Sequence, residues 1–377
     1  MASFVIFLTA VLGLYALAHT YLYLKLIACR PLGARGRAVV LAWLGFMWIS
    51  PVLGRVLGSI WEGPLPVLTL YIGYEWMALI FLFVCAQGAV DVVRGLFALA
   101  GRPWDRRTVR AGFAACAGAA LIASAYGHLE AGDLRVEELE VQTSKLPPEV
   151  NELRVVQISD LHLGEINSLK EAERVAKRTA LLRPDLIAAT GDLVDRGSRR
   201  PDLIQAVFRK LSPPLGKYAV LGNHEFYAGV EWSVDFMERA DFTVLRNLAA
   251  MPSSWLAVVG IDDPTGSERG VEPPPRARPM LSRIDEDRLV ILLTHRPELE
   301  EGAPGSFDIQ LSGHTHGGQI FPFGLLVSRV FPYFKGRYDA GNGSVLYVNR
   351  GAGTWGPPVR ILSPPEITLI RFVRPNQ

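Results

Sequence analysis

Five short segments in the second half of the chain carry side chains able to do chemistry: Asp160-Leu-His162, Gly191-Asp-Leu-Val-Asp-Arg-Gly197, Gly222-Asn-His-Glu225, Thr294-His295 and Gly313-His-Thr-His316. The sequence holds seven histidines, and five of them lie in these segments beside carboxylates. Oxygen and neutral imidazole donors in one set suit divalent cations of intermediate hardness. Asp160 and His162, two residues apart on an extended stretch, point the same way and can grip one ion. Asp192 supplies a carboxylate able to bridge two ions, Asn223 an amide oxygen, and His295, His314 and His316 further nitrogens. A lone Asp-Leu-His is more often a turn or a cap, so it is the conjunction of segments that carries the argument.

Together these segments resemble the calcineurin-like metallophosphoesterase superfamily, whose blocks read D-x-H, G-D-x-x-D, G-N-H-E/D, H and G-H-x-H; all five occur here in that order, over about residues 153–320. The resemblance implies a metal-dependent phosphoesterase with two divalent cations (manganese, iron or zinc). One cation is expected on Asp160, His162, Asp192 and His316, and the other on Asp192, Asn223, His295 and His314. It implies direct hydrolysis: the two cations polarise the phosphoryl oxygens and lower the pKa of a bridging water, whose hydroxide attacks phosphorus in line. By the same resemblance His224 protonates the leaving oxygen, Asp195 orients His224, and Arg196 clamps a phosphate oxygen. Glu225 is read as structural, holding its loop. The tail, with His316-Gly-Gly-Gln-Ile, Asn349-Arg-Gly-Ala-Gly-Thr-Trp and Pro364-Pro-Glu-Ile, is similar to the bacterial membrane-anchored or exported branch of the superfamily.

Positioning such loops requires strands, and each segment follows an apolar, β-rich run. Strands are expected at Leu153 to Ser159, Asp185 to Thr190 and Lys217 to Leu221, with helices at 168–182 and 201–211 between them, a βαβαβ order. Later strands at 255–261, 288–293, 308–312, 344–349 and 366–372 come with few helices and suggest a second, more antiparallel sheet. The fold class expected is α/β (α+β), a four-layer αββα sandwich.

The first third of the chain has a different composition. Apolar spans at about 4–24, 38–60, 67–90 and 111–127 match the roughly 20 residues that a bilayer core requires, so an all-α membrane bundle of about four helices should precede the sandwich. The expected domains are 1–128, transmembrane, and 129–377, catalytic. Lys25, Arg30, Arg35 and Arg37 lie between the first two spans, and Arg94, Arg102, Arg106, Arg107 and Arg110 between the last two, whereas Trp61 to Pro66 has no basic residue. Basic loops stay in the cytoplasm, which makes this a multi-pass cell-membrane protein with its catalytic domain outside the cytoplasm; a three-span reading reverses that placement.

The net charge of +2 and the topological use of arginine give no support to nucleic-acid binding. All three cysteines, Cys29, Cys85 and Cys116, lie in or beside the spans, so the soluble part has neither a disulfide nor a thiolate metal site. Charges in spans are expensive: Arg55 is expected to snorkel and Glu75 to pair with a neighbour, the rival being a transport role. Phe321, Pro322 and Phe323 are either core residues or an apolar lip that meets lipid. The partners expected are thus the bilayer and a phosphoester, with a lipid-linked ester among the candidates. The alternative from another class is a non-enzymatic receptor or transport subunit with a metal-binding regulatory domain.

Overall fold

The computed structural model describes residues 2–375 apart from positions 62, 165, 167, 199 and 271–274. Internal packing divides the chain into two units: Met1–Leu129 with Gly356–Ile361, and Glu130–Trp355 with Leu362–Gln377.

In the first unit, four helices run over Ala2–Cys29 (α1), Ala34–Ile60 (α2), Pro64–Leu99 (α3) and Arg106–Gly132 (α4). All four are long and apolar enough to cross a membrane, α1 over Thr9–Cys29. Small residues let α2 and α3 approach closely: a Cβ on Gly54 would meet the Leu70 backbone nitrogen at 2.7 Å, and one on Gly73 would meet Ser50 Oγ at 2.6 Å. Glu75 pairs with His128, 2.7 Å away, whose Nδ1 lies 2.9 Å from the Pro358 carbonyl oxygen. Arg55 donates to Tyr74 Oη at 2.8 Å. α3 continues well past the apolar span to Asp91, which takes an ion pair from Lys25 and a 2.5 Å hydrogen bond from Tyr21.

The second unit contains two six-stranded sheets among its described residues. The first has the order β1 (Arg135–Gln142), β12 (Glu366–Val373), β2 (Glu152–Ile158), β3 (Leu186–Ala189), β4 (Lys217–Ala219) and β5 (Thr243–Val244). The second runs β10 (Gly336–Gly341), β11 (Ser344–Val348), β9 (Ile309–Ser312), β8 (Leu289–Thr294), β7 (Leu256–Ile261) and β6 (Leu248–Ser253). β2, β3 and β4 are mutually parallel, as are β7, β8 and β9. The second sheet is therefore parallel at its centre and antiparallel only at its edges, β6–β7 and β10–β11. The shortage of helices in the sequence had pointed to a more antiparallel sheet. The short helices α9 (Thr265–Glu268) and α10 (Arg278–Leu281) and the loops beside them carry the crossovers instead.

Period-two alternation distributes each strand between layers. Val155, Leu186, Leu289, Ile291, Leu293, Leu311 and Phe372 pack together between the sheets. From the opposite face of the first sheet, Val156, Ile158 and Ile187 pack under α5 (Leu169–Leu181), α6 (Pro201–Arg209) and α8 (Val230–Arg239), through Val175, Phe208 and Met237. Val290 and Leu292 of β8 turn the other way, against Leu281 and Phe307. The order helix, sheet, sheet, helix is the four-layer αββα sandwich. Remaining helices are α7 (Asn223–Ala228) and α11 (Gly324–Val330).

Phe372 is fully buried between the sheets, while Leu248 on the edge strand β6 is 57% exposed. Phe372→Ala should lower the unfolding free energy by about 3–5 kcal/mol, and Leu248→Ala by less than about 0.5 kcal/mol. Denaturant titration of the full chain in detergent measures both; equal losses would contradict the interior placement of β12.

Candidate metal centre

The seven candidate donors stand at the carboxyl ends of parallel strands from both sheets: Asp160 and His162 after β2, Asp192 after β3, Asn223 after β4, His295 after β8, and His314 and His316 after β9. Crevices at such ends are where α/β sheets place their sites. One ligand atom from each of Asp160, His162 and His316 falls within 4.8 Å of the others, and the same is true of Asp192, His295 and His314. Asn223 Oδ1 is 3.2 Å from His295 Nε2, which lies 3.2 Å from Asp192 Oδ2. His162 Nε2 is 3.8 Å from Asp192 Oδ2, so Asp192 stands between the two groups. The structure brings all seven together.

Two observations make the cluster suited to holding cations. Imidazole nitrogens face each other at 3.1 Å in two places, His162 Nε2 with His316 Nε2 and His314 Nδ1 with His295 Nε2. Nitrogens at that spacing either share a proton or turn their lone pairs together on one cation, so the two pairs are convergent donors. Secondly, five of the seven donors hold left-handed backbone: Asp160 (φ 52°), His162 (47°), Asp192 (51°), His314 (72°) and His316 (50°). Non-glycine residues are uncommon there, and the strain is of the kind that gathers at functional sites.

Packing fixes these loops from outside. The fully buried Glu225 carboxylate accepts from four backbone N–H groups: Asp192 at 2.9 Å, Leu193 at 2.8 Å, Val194 at 3.2 Å and Gly222 at 2.7 Å. It thereby ties the loop after β3 to the start of α7, in the structural part read for it from the sequence. Burial and the Asp192 charge raise the Glu225 pKa, whereas the N–H donors favour the carboxylate. Ser159 Oγ donates to Asp160 Oδ2 at 2.5 Å, and the His314 N–H reaches the same carboxylate at 3.1 Å. His295 Nδ1 donates to the Thr190 carbonyl oxygen at 2.8 Å, which leaves Nε2 for the cluster. Glycine is required at two crossings. A Cβ on Gly222 would meet Asp192 Oδ1 at 2.2 Å, and one on Gly313 would meet Asp160 Oδ2 at 2.2 Å.

His224 borders the donors, with its ring 4.5 Å from that of His162. Its Nδ1 donates to Asp195 Oδ1 at 2.6 Å, and Asp195 Oδ2 also lies 3.4 Å from His162 Nδ1. Burial disfavours the imidazolium, but the Asp192 and Asp195 charges push the His224 pKa up to about 9. Burial would raise Asp195, yet His162 and His224 hold it below the usual carboxylate range. Asp192 is likewise held well below that range against its burial, chiefly by His295, whereas burial raises Asp160. Arg196 is exposed and gives its Nε–H to the Ala228 carbonyl oxygen at 2.5 Å.

Sequence reasoning did not single out the aromatic rim. Trp355 packs edge-on against His224 with ring centroids 6.0 Å apart and Tyr227 at 5.5 Å, while Phe331 stands 5.0 Å from His314. Gln319 holds Trp355 by two backbone hydrogen bonds, at 3.0 and 2.9 Å. No spacing rule links Trp355 to His224 across so much sequence. Tyr227, three residues past His224, could have been found as the next turn of one helix.

Residues 153–318 match the calcineurin-like phosphoesterase family. A metallophosphoesterase of Aquifex aeolicus, itself called uncharacterized, is 38% identical over 252 residues, which cover 67% of this chain and 96% of that one. The chain belongs to the calcineurin-like metallophosphoesterase family. A transmembrane protein with metallophosphoesterase domain from Danio rerio is 32% identical over 63% of this chain and 56% of its own length. The match spans 64% of a Campylobacter jejuni relative. Among solved structures, a dimetal phosphatase from Danio rerio is 12% identical with a TM-score of 0.37, over 54% of this chain and 88% of that one. This metallophosphoesterase is a hydrolase of phosphoric ester bonds, and its chain carries four helices long and apolar enough to cross a membrane.

Glu225→Gln replaces one acceptor oxygen with an N–H donor facing buried N–H groups. Each unsatisfied group costs about 1–3 kcal/mol, so thermal unfolding of the variant should begin well below that of the parent; an unchanged midpoint would remove Glu225 from its tethering role. Gly313→Ala should displace the Asp160 carboxylate and weaken metal binding by about 10–100-fold, read by competition with a chelator; parental affinity would show that the loop gives way.

Proposed function

We propose that the chain comprises a membrane domain over 1–128 and a metallophosphoesterase domain over 129–377 that cleaves a phosphodiester or phosphomonoester at the membrane surface, with a phospholipid or another envelope-linked ester as substrate. The observation that carries this is the convergence of seven cation donors on one pocket, with a histidine–carboxylate pair at its border. In this reading Asp160, His162, Asp192 and His316 hold one cation, and Asp192, Asn223, His295 and His314 the other. Manganese, iron and zinc all suit mixed oxygen and imidazole donors. When bound, the cations supply Lewis acidity toward phosphoryl oxygens and a water ionised near neutral pH.

The side chains do the rest. His224, its Nδ1 proton committed to Asp195, presents Nε2 to the leaving oxygen and delivers a proton there. Asp195 fixes that tautomer and stabilises the imidazolium. Trp355 and Tyr227, each about half exposed beside His224, wall the leaving-group side and limit water there. In this reading Arg196, whose Nε–H is held by the Ala228 carbonyl oxygen, clamps a phosphate oxygen of the substrate. A transport reading rests on a charge left for cargo, and Glu75 is engaged by His128.

The distribution of Lys and Arg among the helix connections supports a catalytic domain outside the cytoplasm. A reporter fused after Gln377 tests this: a fusion to a phosphatase that folds only in the periplasm should be active, and a fluorescent cytoplasmic reporter dark. The reverse pattern would invert the topology.

Hydrolysis of a chromogenic phosphodiester and its monoester by metal-stripped, metal-resupplied full chain tests the chemistry. His224→Ala should lower kcat by about 10²–10⁴-fold on an ester with a poor leaving group, and much less on a nitrophenyl ester, whose leaving oxygen needs no proton. Equal losses on both would contradict the leaving-group role.

A further inference from the structure

The segment following the last histidine donor is built unlike the rest of the domain surface. α11 has no buried residue, and Leu325, Leu326 and Val330 are 63%, 60% and 66% exposed, with Phe321 and Phe323 nearly half exposed in the turn before it. From Gly313 to Tyr338 the sequence contains no Asp or Glu, while Arg329, Lys335 and Arg337 are all exposed. Large aliphatic side chains on a surface helix, in a stretch of chain whose charged residues are all basic, match the boundary between anionic headgroups and acyl chains. In water the same side chains would form an apolar patch of the kind that monomers avoid.

This segment is fastened to the metal loop. Thr315 Oγ1 donates to the Phe334 carbonyl oxygen at 2.7 Å, and Phe331 packs on His314. Gly318 approaches Gly324 so closely that a Cβ on the former would lie 2.2 Å from the Cα of the latter. α11 thus keeps a fixed position relative to His314 and His316. Only Asp133 and Leu134 separate α4, which is long and apolar enough to cross a membrane, from β1.

The geometry points to α11 and its preceding turn as an interfacial element that enters the headgroup region of an anionic bilayer and delivers lipid-borne phosphoesters to the metal cluster. This deepens the phosphoesterase reading and rests on it for the identity of what is delivered. Arg329, Lys335 and Arg337 hold the anionic surface; Leu325, Leu326, Val330 and the two phenylalanines enter the boundary.

The test uses the full chain in lipid nanodiscs containing phosphatidylglycerol, with an environment-sensitive fluorophore on Leu326→Cys or, as a control, on the exposed Glu286→Cys. The parent, labelled in parallel, corrects for the three native cysteines. A blue-shifted label at 326, quenched by nitroxide lipids while that at 286 is not, is the expected result. A label at 326 that lipid nitroxide does not reach overturns the proposal, and shielding of it from aqueous iodide as well would assign the face to a second copy or a protein. The double variant Leu325→Gln/Leu326→Gln should lose about tenfold in turnover of nanodisc-borne phosphodiester and stay within about twofold on a soluble chromogenic diester; equal losses on both overturn the delivery role. If the parent hydrolyses neither ester, the phosphoesterase reading fails, while the fluorescence arms still decide whether α11 meets lipid.

Discussion

The controlling constraint is the crowding of two carboxylates, an amide and four imidazoles into one largely buried pocket, with like nitrogens 3.1 Å apart. Burying charged and lone-pair groups together is strongly unfavourable unless something of opposite sign lies among them. Much of the surrounding structure holds that arrangement in place. Five donors accept left-handed backbone, Glu225 gathers four N–H groups from two loops, and Gly222 and Gly313 give up side chains so that Asp192 and Asp160 fit. Because donors come from both sheets, neither sheet alone contains the site, and the apolar layer between them keeps its two halves in register.

This also explains the mixture of types at the border. His224 and Asp195 are close enough to the donors to feel their charge, yet they pair with each other. Trp355 and Tyr227 give His224 apolar neighbours, and Gln319 fixes Trp355 from the same loop that carries His316. In the proposed reading two cations, the His224 imidazole and an aromatic border are the components of phosphoester cleavage with an unactivated leaving group. α11 extends the same loop outward as an aliphatic surface, so the donors and the apolar element share one short stretch of chain.

The donors were legible because strand ends put single residues into loops, and scarce histidines beside Asp and Gly stand out there. The buried strands were legible from apolar runs, and the four spans from length. α7 was not, since Asn223–Ala228 is only six residues long and a helix that short exists through its contacts, not its propensity. β10 was missed although Asn342-Gly343 before β11 is a strong hairpin turn. The parallel centre of the second sheet was hidden because short helices and loops replaced the long crossover helices that usually betray it. The grouping of Gly356–Ile361 with the helical unit has no trace in composition.

The central claim is that two cations share Asp192, and the most direct measurement is electron paramagnetic resonance of the full chain reconstituted with manganese. The account predicts two equivalents per chain and an exchange-coupled spectrum, which Asp192→Asn converts to that of isolated ions together with loss of turnover. A single equivalent in the parent protein, or two uncoupled ions indifferent to Asp192→Asn, would contradict it.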